Sequence, residues 1–323
     1  MMEVNKFPVA PRPFRDELLS SWMARVAARY GMDELGLAGY LTEQAGHVFD
    51  MQQIDNINPN LGLLSYWAWG CRIDPARLEA LSLKSRHPDR PQHWFLDRPM
   101  EVTSICLDCL DGDFAAGRDS YMRADWWLVE YVVCPVHNDI MLDRCPICAS
   151  HLHVSFRMRQ GHLRPICSKC DGMLSRRGGE VANISNQDFA QGVLTLQKKV
   201  GRIVRGDPDR RICLEQEICT LWAPLDRPGA ARPVLALWID QAQWHCPYEA
   251  REAVGSQAPL QKLSVRWRAI TLVILYDVFG TELILNGPMS DAACRLYRRA
   301  APMPFRSPKR GRCLFKKNPL LMH

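Results

Sequence analysis

The chain has 323 residues, of which 47% are hydrophobic and 24% charged, a composition typical of a folded protein large enough for two or three domains. Its first residues lack the apolar run of a signal peptide, and the most apolar later stretch, from Ala269, is too short to span a bilayer and contains Asp277. These features argue against a secreted or membrane-bound protein, so we expect a cytoplasmic protein with no membrane partner. In such a reducing compartment, thirteen cysteines predict metal ligands rather than disulfides.

Residues 15–31 predict an amphipathic helix. Leu18, Trp22 and Val26 recur at a spacing of four residues, and Gly31 follows as a stop signal. A helix with so wide an apolar face must pack against another element. It opens a predicted N-terminal helical region, residues 1–100.

A second helical pair is predicted in the stretch LGLLSYWAWGCRIDPARLEALSL, where Asp74 can cap the second helix. Two short helices across a tight turn form either a helix-turn-helix or a plain helical hairpin, and the pattern leaves both open. In a helix-turn-helix, Arg77 and Lys84 would be offered to DNA. Trp67 and Trp69 are expected in the core in either case.

Residues 101–178 carry four short Cys/His pairs in series, with the spacings CxxC, CxxH, CxxC and CxxC. Eight such ligands suit two zinc ions, and four protein ligands per ion leave no position open for water. We therefore predict two structural zinc sites in a tandem zinc-binding domain. With sequential pairing, the first site is Cys106, Cys109, Cys134 and His137, and the second is Cys145, Cys148, Cys167 and Cys170.

An alternative pairing is that of a RING finger, in which the first and third pairs share one ion and the second and fourth share the other. In a RING finger the third pair follows the histidine after only a few residues. Here seven residues separate His137 from Cys145. The spacing therefore favours sequential pairing over a RING-like protein-interaction module.

The C-terminal part is predicted as a helical domain, residues 179–300, followed by a basic flexible tail, residues 301–323. Between Arg295 and the C-terminus there are nine Lys or Arg and no Asp or Glu, so the net charge of +6 belongs to this end of the chain. Such a tail is either an arm that neutralises phosphates or a solvated segment without a partner. The tail residues predicted to bind nucleic acid are Arg306, Lys309, Arg310, Arg312, Lys316 and Lys317.

Enzyme signatures such as a phosphate-binding GxxxxGK[ST] loop, a GxSxG elbow or an HExxH helix do not occur in the sequence. We therefore expect a binding or assembly protein and not an enzyme. The predicted fold class is mostly α, with small zinc-stabilised β and loop modules.

Several of these motifs together resemble the TniQ/TnsD family of transposition target-selection proteins. The family opens with a Pro-rich turn and a helix similar to PRPFRDELLSSWMARVA, residues 11–27. Its zinc region is similar to Cys106–Cys109, YMRADW from Tyr121 to Trp126, Cys134–His137, and LDRCPIC ending at Cys148. The first pair carries Asp108 where the family commonly has Pro, which leaves the ligands intact. The resemblance covers roughly residues 7–175.

The resemblance implies a non-enzymatic adaptor for transposon target-site selection. Such proteins mark an insertion site and recruit a AAA+ ATPase regulator, which brings the transposase. Some bind target DNA directly, whereas others ride on a CRISPR RNA-guided complex such as Cascade, and the sequence leaves both open. The zinc domain would present partner surfaces, for which Arg123, Trp126 and Trp127 are candidates, and a homodimer is a further expectation. The alternative is a zinc-dependent, DNA-binding transcription regulator.

Overall fold

A computed structural model of the chain describes residues 6–44, 54–96, 104–176, 187–224, 233–237 and 248–279. Within these ranges the chain is mostly helical, with a few short strands, as the predicted fold class requires. The helices are α1 Leu19–Ala28, α2 Glu34–Gln44, α3 Leu61–Cys71, α4 Pro75–Glu79, α5 Leu83–Arg86, α6 Leu107–Ala115, α7 Gln187–Gly206, α8 Pro208–Leu221, α9 Tyr248–Arg251, α10 Pro259–Lys262 and α11 Val265–Phe279. Short 3-10 helices occur at Gln92–Trp94, Ala124–Trp127 and Val234–Leu237.

Two antiparallel strand pairs complete these ranges. Strand β1, Val133–Cys134, pairs with β2, Asp139–Ile140. Strand β3, Val154–Arg159, pairs with β4, His162–Cys167, over six residues on each side. Two-stranded sheets of this size are marginal in water unless other elements pack against them.

The chain divides into two compact units. The first comprises Met1–Leu128 and Leu142–Ala182, and the second comprises Val129–Met141 and Asn183–His323. The predicted boundaries at residues 100 and 178 stay a prediction, although α1 packs against β3 within the first unit. The division assigns the β1–β2 hairpin to the unit of the C-terminal helices, where α7 contacts β1.

In the first unit, helix α1 is a core helix rather than an amphipathic one. It begins at Leu19, four residues later than the predicted start, and every residue from Leu19 to Ala27 is buried. The reason is that α2 packs against α1 and so does β3. Trp22 meets Trp67 edge to face at 5.7 Å between ring centroids, and Gly31 ends the segment with a φ of 68°.

The helical pair after residue 60 is closer to a hairpin than to a helix-turn-helix. Asp74 caps α4 as predicted, accepting a hydrogen bond from the Ala76 N–H. However, α4 has five residues, about 7.5 Å of helix, too short to lie along a DNA major groove. Trp67 is buried as predicted, whereas Trp69 is 41% exposed, with the Lys6 amine 5.4 Å from its ring centroid. The prediction that Trp69 is a core residue is wrong.

A buried charge network links α1 to the β3–β4 hairpin. The Arg25 guanidinium donates to both carboxylate oxygens of Glu17, at 2.7 and 2.8 Å, and to Asp119 at 3.0 Å. Asp119 also accepts from Arg29 and from the backbone N–H of Leu163 on β4. Burial raises the pKa of Glu17, and the neighbouring Arg25 acts against that shift. The network therefore neutralises a carboxylate that could not stay ionised alone.

In the second unit, α7 is amphipathic. Its inward residues pack against α8, α11 and β1, while its outward residues are polar. The buried residues of this face are Val193, Leu194, Leu196, Val200, Ile203 and Val204. None of the helices in the described ranges combines the length and the apolar character that crossing a bilayer demands.

Candidate metal centres

Three of the four Cys/His pairs share one backbone geometry. In each, the residue after the second ligand adopts a left-handed conformation and its N–H returns to the carbonyl oxygen of the first ligand. The left-handed residues are Asn138, Ala149 and Asp171, with φ values of 55°, 57° and 55°, and they donate to Cys134, Cys145 and Cys167 at 2.8, 2.9 and 2.8 Å. This tight turn aims both ligand side chains of a pair to the same side.

The remaining pair is built on a helix. Cys106 is the N-cap residue of α6 and Cys109 lies in its first turn. The Leu110 N–H donates to the Cys106 carbonyl at 3.3 Å, the same relation as in the other pairs, but here the chain continues as helix. A helical turn thus brings the two thiols together without a left-handed residue.

The four pairs come together as two tetrads. In each tetrad the four ligand atoms all lie within 4.8 Å of one another. The members are Cys106, Cys109, Cys134 and His137 in the first tetrad, and Cys145, Cys148, Cys167 and Cys170 in the second. The structure confirms the sequential pairing and contradicts the RING-like one.

Distances within the tetrads match a tetrahedral zinc ion. Zinc–sulfur bonds of about 2.3 Å at tetrahedral angles place two sulfurs about 3.8 Å apart, and a sulfur and an imidazole nitrogen about 3.6 Å apart. The Cys145–Cys170 and Cys148–Cys167 sulfurs are 3.7 and 3.9 Å apart. Cys134 Sγ is 3.6 Å from His137 Nδ1. Both tetrads are therefore positioned to bind zinc, as predicted.

The chemistry of the second tetrad also favours a cation. Ser150 lies 2.9 Å from the Cys148 sulfur, and its hydrogen bonds lower the pKa of that thiol to about 6. Thiolate is the form that binds metal. Burial, in contrast, raises the pKa of Cys145, and a bound cation would favour the ionised form of all four thiols. Ser150 was not among the predicted site residues, although it follows the third pair by only two positions.

With four protein ligands each, these centres suit a structural role. A catalytic zinc ion keeps one position for water or substrate, and a complete Cys/His tetrad leaves none. The metal would replace a larger hydrophobic core in holding two small hairpins and the start of α6 in place.

The three candidate partner residues near the first tetrad are buried or half-buried. Trp126 and Trp127 are 1% and 4% exposed, because their 3-10 turn packs into the core of the first unit. Arg123 makes a bidentate ion pair with buried Asp113, at 2.7 and 2.8 Å, and stacks over Tyr121. All three side chains are engaged within the fold, and their contact with a partner stays a prediction that no observation supports.

Nucleic-acid binding by the residues named for it stays a prediction, and the structure describes two of them. Arg77 and Lys84 are exposed, on α4 and α5. The Lys84 amine donates to the Pro88 carbonyl at 2.6 Å. The tail residues from Arg306 to Lys317 lie outside the described residues.

Comparison with known proteins gives a match for the N-terminal part of the chain. Residues 8–139 match the TniQ family model, a range that contains the N-terminal helices and the whole first tetrad. The second tetrad and the C-terminal helices follow it in the chain. No curated protein matches the sequence. Residues 8–139 are thus a TniQ domain, and the predicted resemblance of this chain to the TniQ family is confirmed.

Proposed function

We propose that the chain is an adaptor for transposon target-site selection, which marks the insertion site and recruits a AAA+ ATPase regulator that in turn brings the transposase. The TniQ domain at residues 8–139 carries this proposal. TniQ domains belong to transposition-associated target-selection proteins that are not catalysts. Within the adaptor, target recognition would be either direct binding to DNA or docking on a CRISPR RNA-guided complex.

The metal centres support an adaptor in a physical sense. A docking protein must present its surface in one conformation, since each side chain or loop ordered on binding costs affinity. Structural zinc orders short hairpins that would be marginal without it. We therefore assign both zinc ions to the rigidity of the docking platform, and no reaction step to either.

A capture experiment tests the proposal. The zinc-loaded full chain is immobilised on a resin and incubated with a lysate of its native host. The retained proteins are identified by mass spectrometry and the retained DNA by sequencing. We expect a AAA+ ATPase, together with either subunits of a guided complex or one defined DNA site. Direct binding is then measured with the purified ATPase. Cys148→Ser should weaken capture by disordering the second tetrad, and Cys213→Ser, a cysteine outside both tetrads, serves as the matched control.

The outcome separates this function from its alternative. DNA captured without any ATPase would identify a zinc-dependent transcription regulator instead of a transposition adaptor. Failure of the purified ATPase to bind the wild-type chain, with or without the captured target, would contradict the proposal.

A further inference from the structure

Helix α7 exposes a row of cations along its outer face. The residues of this row, which we call the α7 basic face, are Lys198, Arg202 and Arg205, spaced by four and three positions. This spacing places them on one side of a helix. All three are exposed, and among the described residues none of them forms an ion pair. Exposed polar Gln191 extends the same side toward the N-terminus of the helix.

The surroundings of this face do little to neutralise it. Glu130 is the acidic group that approaches it. A Cβ placed on Gly201 would lie 3.3 Å from the Glu130 carboxylate and 4.0 Å from the Arg205 guanidinium. Glu130 is 3% exposed, and a single carboxylate does not balance three cations. Next along the chain, Asp207 pairs with Arg210. The outer side of α7 therefore keeps a surplus of positive charge.

A second observation strengthens this point. Lys199 is 4% exposed, and in the part of the chain that the structure describes its Nζ has no hydrogen-bond partner. Burial and the nearby Arg202 guanidinium lower the pKa of Lys199. A buried ammonium held beside another cation costs folding free energy unless an anion compensates it. Among the described residues no anion compensates Lys199, and an anion bound at Arg202 on the outer face would reduce the repulsion between these two cations.

The apolar face of α7 helps to decide between a lipid surface and a soluble polyanion as the partner. A basic amphipathic helix is also typical of membrane surfaces, where the apolar face enters the lipid. Here the apolar residues of α7 are already packed against α8, α11 and β1. Only the cations remain for a partner, so a polyanion fits this surface better than a lipid interface.

We propose that Lys198, Arg202 and Arg205 on the outer face of α7 bind the phosphate backbone of a nucleic acid. The proposal rests on the proposed function, to which it adds a surface: target DNA and the RNA of a guided complex present the same phosphate chemistry. Lys198 and Arg205 are seven residues apart, about 10 Å along the helix, a reach that covers two or three successive phosphates.

The experiment measures binding of the zinc-loaded full chain to fluorescein-labelled duplex DNA and to a hairpin RNA by anisotropy. Binding is followed from about 50 to about 200 mM salt, because each phosphate contact contributes about −0.9 to the slope of log K against log salt on duplex DNA. The test variant carries Lys198→Gln, Arg202→Gln and Arg205→Gln. We expect affinity about tenfold lower and a salt slope smaller by about 2.7 on DNA, and by about 2 on single-stranded RNA regions.

A control variant separates this surface from net charge. Arg15→Gln, Arg72→Gln and Arg159→Gln remove three exposed cations elsewhere, in the first unit and outside both tetrads. Loss of affinity in the α7 variant alone supports the proposal, and the probe that loses more identifies DNA or RNA as the partner. Equal losses in the two variants, no loss in either, or a wild-type chain that binds neither probe would overturn it.

Capture of the AAA+ ATPase is measured on the same variants. If the ATPase binds all of them while nucleic-acid binding is unchanged in the α7 variant, the inference fails and the proposed function stands. If no form binds the ATPase but the α7 variant loses nucleic-acid affinity, the proposed function fails and the basic face stands.

Discussion

The side chain of Gln197 substitutes for a strand partner of β1, and its removal is the sharpest test of the second unit. Its Oε1 accepts hydrogen bonds from the Val132 and Val133 N–H groups, both at 2.8 Å, and its Nε2 donates to the Val133 carbonyl at 2.9 Å. Gln197 is 5% exposed, so water cannot readily replace these bonds. The strand that it holds ends at Cys134, a ligand of the first tetrad.

Gln197→Met keeps the length and much of the volume of the side chain but removes all three hydrogen bonds. Two buried N–H groups are then left without a partner, at about 1 to 3 kcal/mol each, so we expect a loss of about 2 to 6 kcal/mol in the free energy of unfolding. Gln191→Met is the matched control, since the same substitution on the exposed side of α7 should change stability by less than about 0.5 kcal/mol.

Two readouts locate the effect. A chain with two compact units need not unfold in a single transition. The midpoint of denaturant unfolding is therefore measured together with the hydrogen-exchange rates of the Val132 and Val133 amides. We expect faster exchange at both amides and loss of one of the two zinc ions at a lower chelator concentration. If Gln197→Met matches Gln191→Met in midpoint, and both amides keep their protection, the strand does not depend on this side chain.

Further predictions concern the second tetrad and the buried charges. Cys148→Ser should release about one zinc per chain and lower the unfolding midpoint, because the binding free energy of a structural zinc contributes to folding. Retention of two zinc ions would refute the ligand assignment. Cys213→Ser, as a control, should behave as wild type. Arg25→Met should cost about 3 to 5 kcal/mol by leaving Glu17 buried without its partner, against about 1 kcal/mol for the more exposed Arg29→Met. Without Arg25, burial should hold the pKa of Glu17 above its unfolded value. The folded variant then binds the extra proton, its stability falls as pH rises, and the defect should be larger at about pH 8 than at about pH 5 in denaturant titrations.

The sequence predicts the metal centres well because their signal is local. A CxxC or CxxH pair and the residue after it form a turn of five residues. The hydrogen bond from the N–H of that last residue to the carbonyl of the first ligand involves only these five residues. Which pairs share an ion is a long-range question, and spacing alone favoured the correct answer. Asp74 as a cap is likewise a local feature, decided by the Ala76 N–H two residues away.

Burial is predicted less well, since it depends on what packs against an element. Trp67 and Trp69 are equally apolar and lie two positions apart on α3, about 200° around the helix, so only one can face the core. Helix α1 has an amphipathic pattern, yet β3 covers the side that the pattern assigns to water. Gln197 gives no sequence signal at all: a glutamine on a helix is normally exposed, and its role depends on a strand more than sixty residues earlier.

The second metal centre and helix α1 depend on each other through Asp119. A hairpin of two strands is marginally stable alone, and a zinc ion in the second tetrad would hold one end of this one, since Cys167 is the last residue of β4. Asp119 fixes its other end by accepting the Leu163 N–H, while the same carboxylate neutralises Arg25 and Arg29 of α1. Loss of the metal would destabilise the hairpin. If Leu163 then moved, Asp119 would lose one of the hydrogen bonds that position it against Arg25 and Arg29. Because Asp119, held against the β3–β4 hairpin, balances the buried charge of Arg25, we expect α1 and this hairpin to lose their structure together.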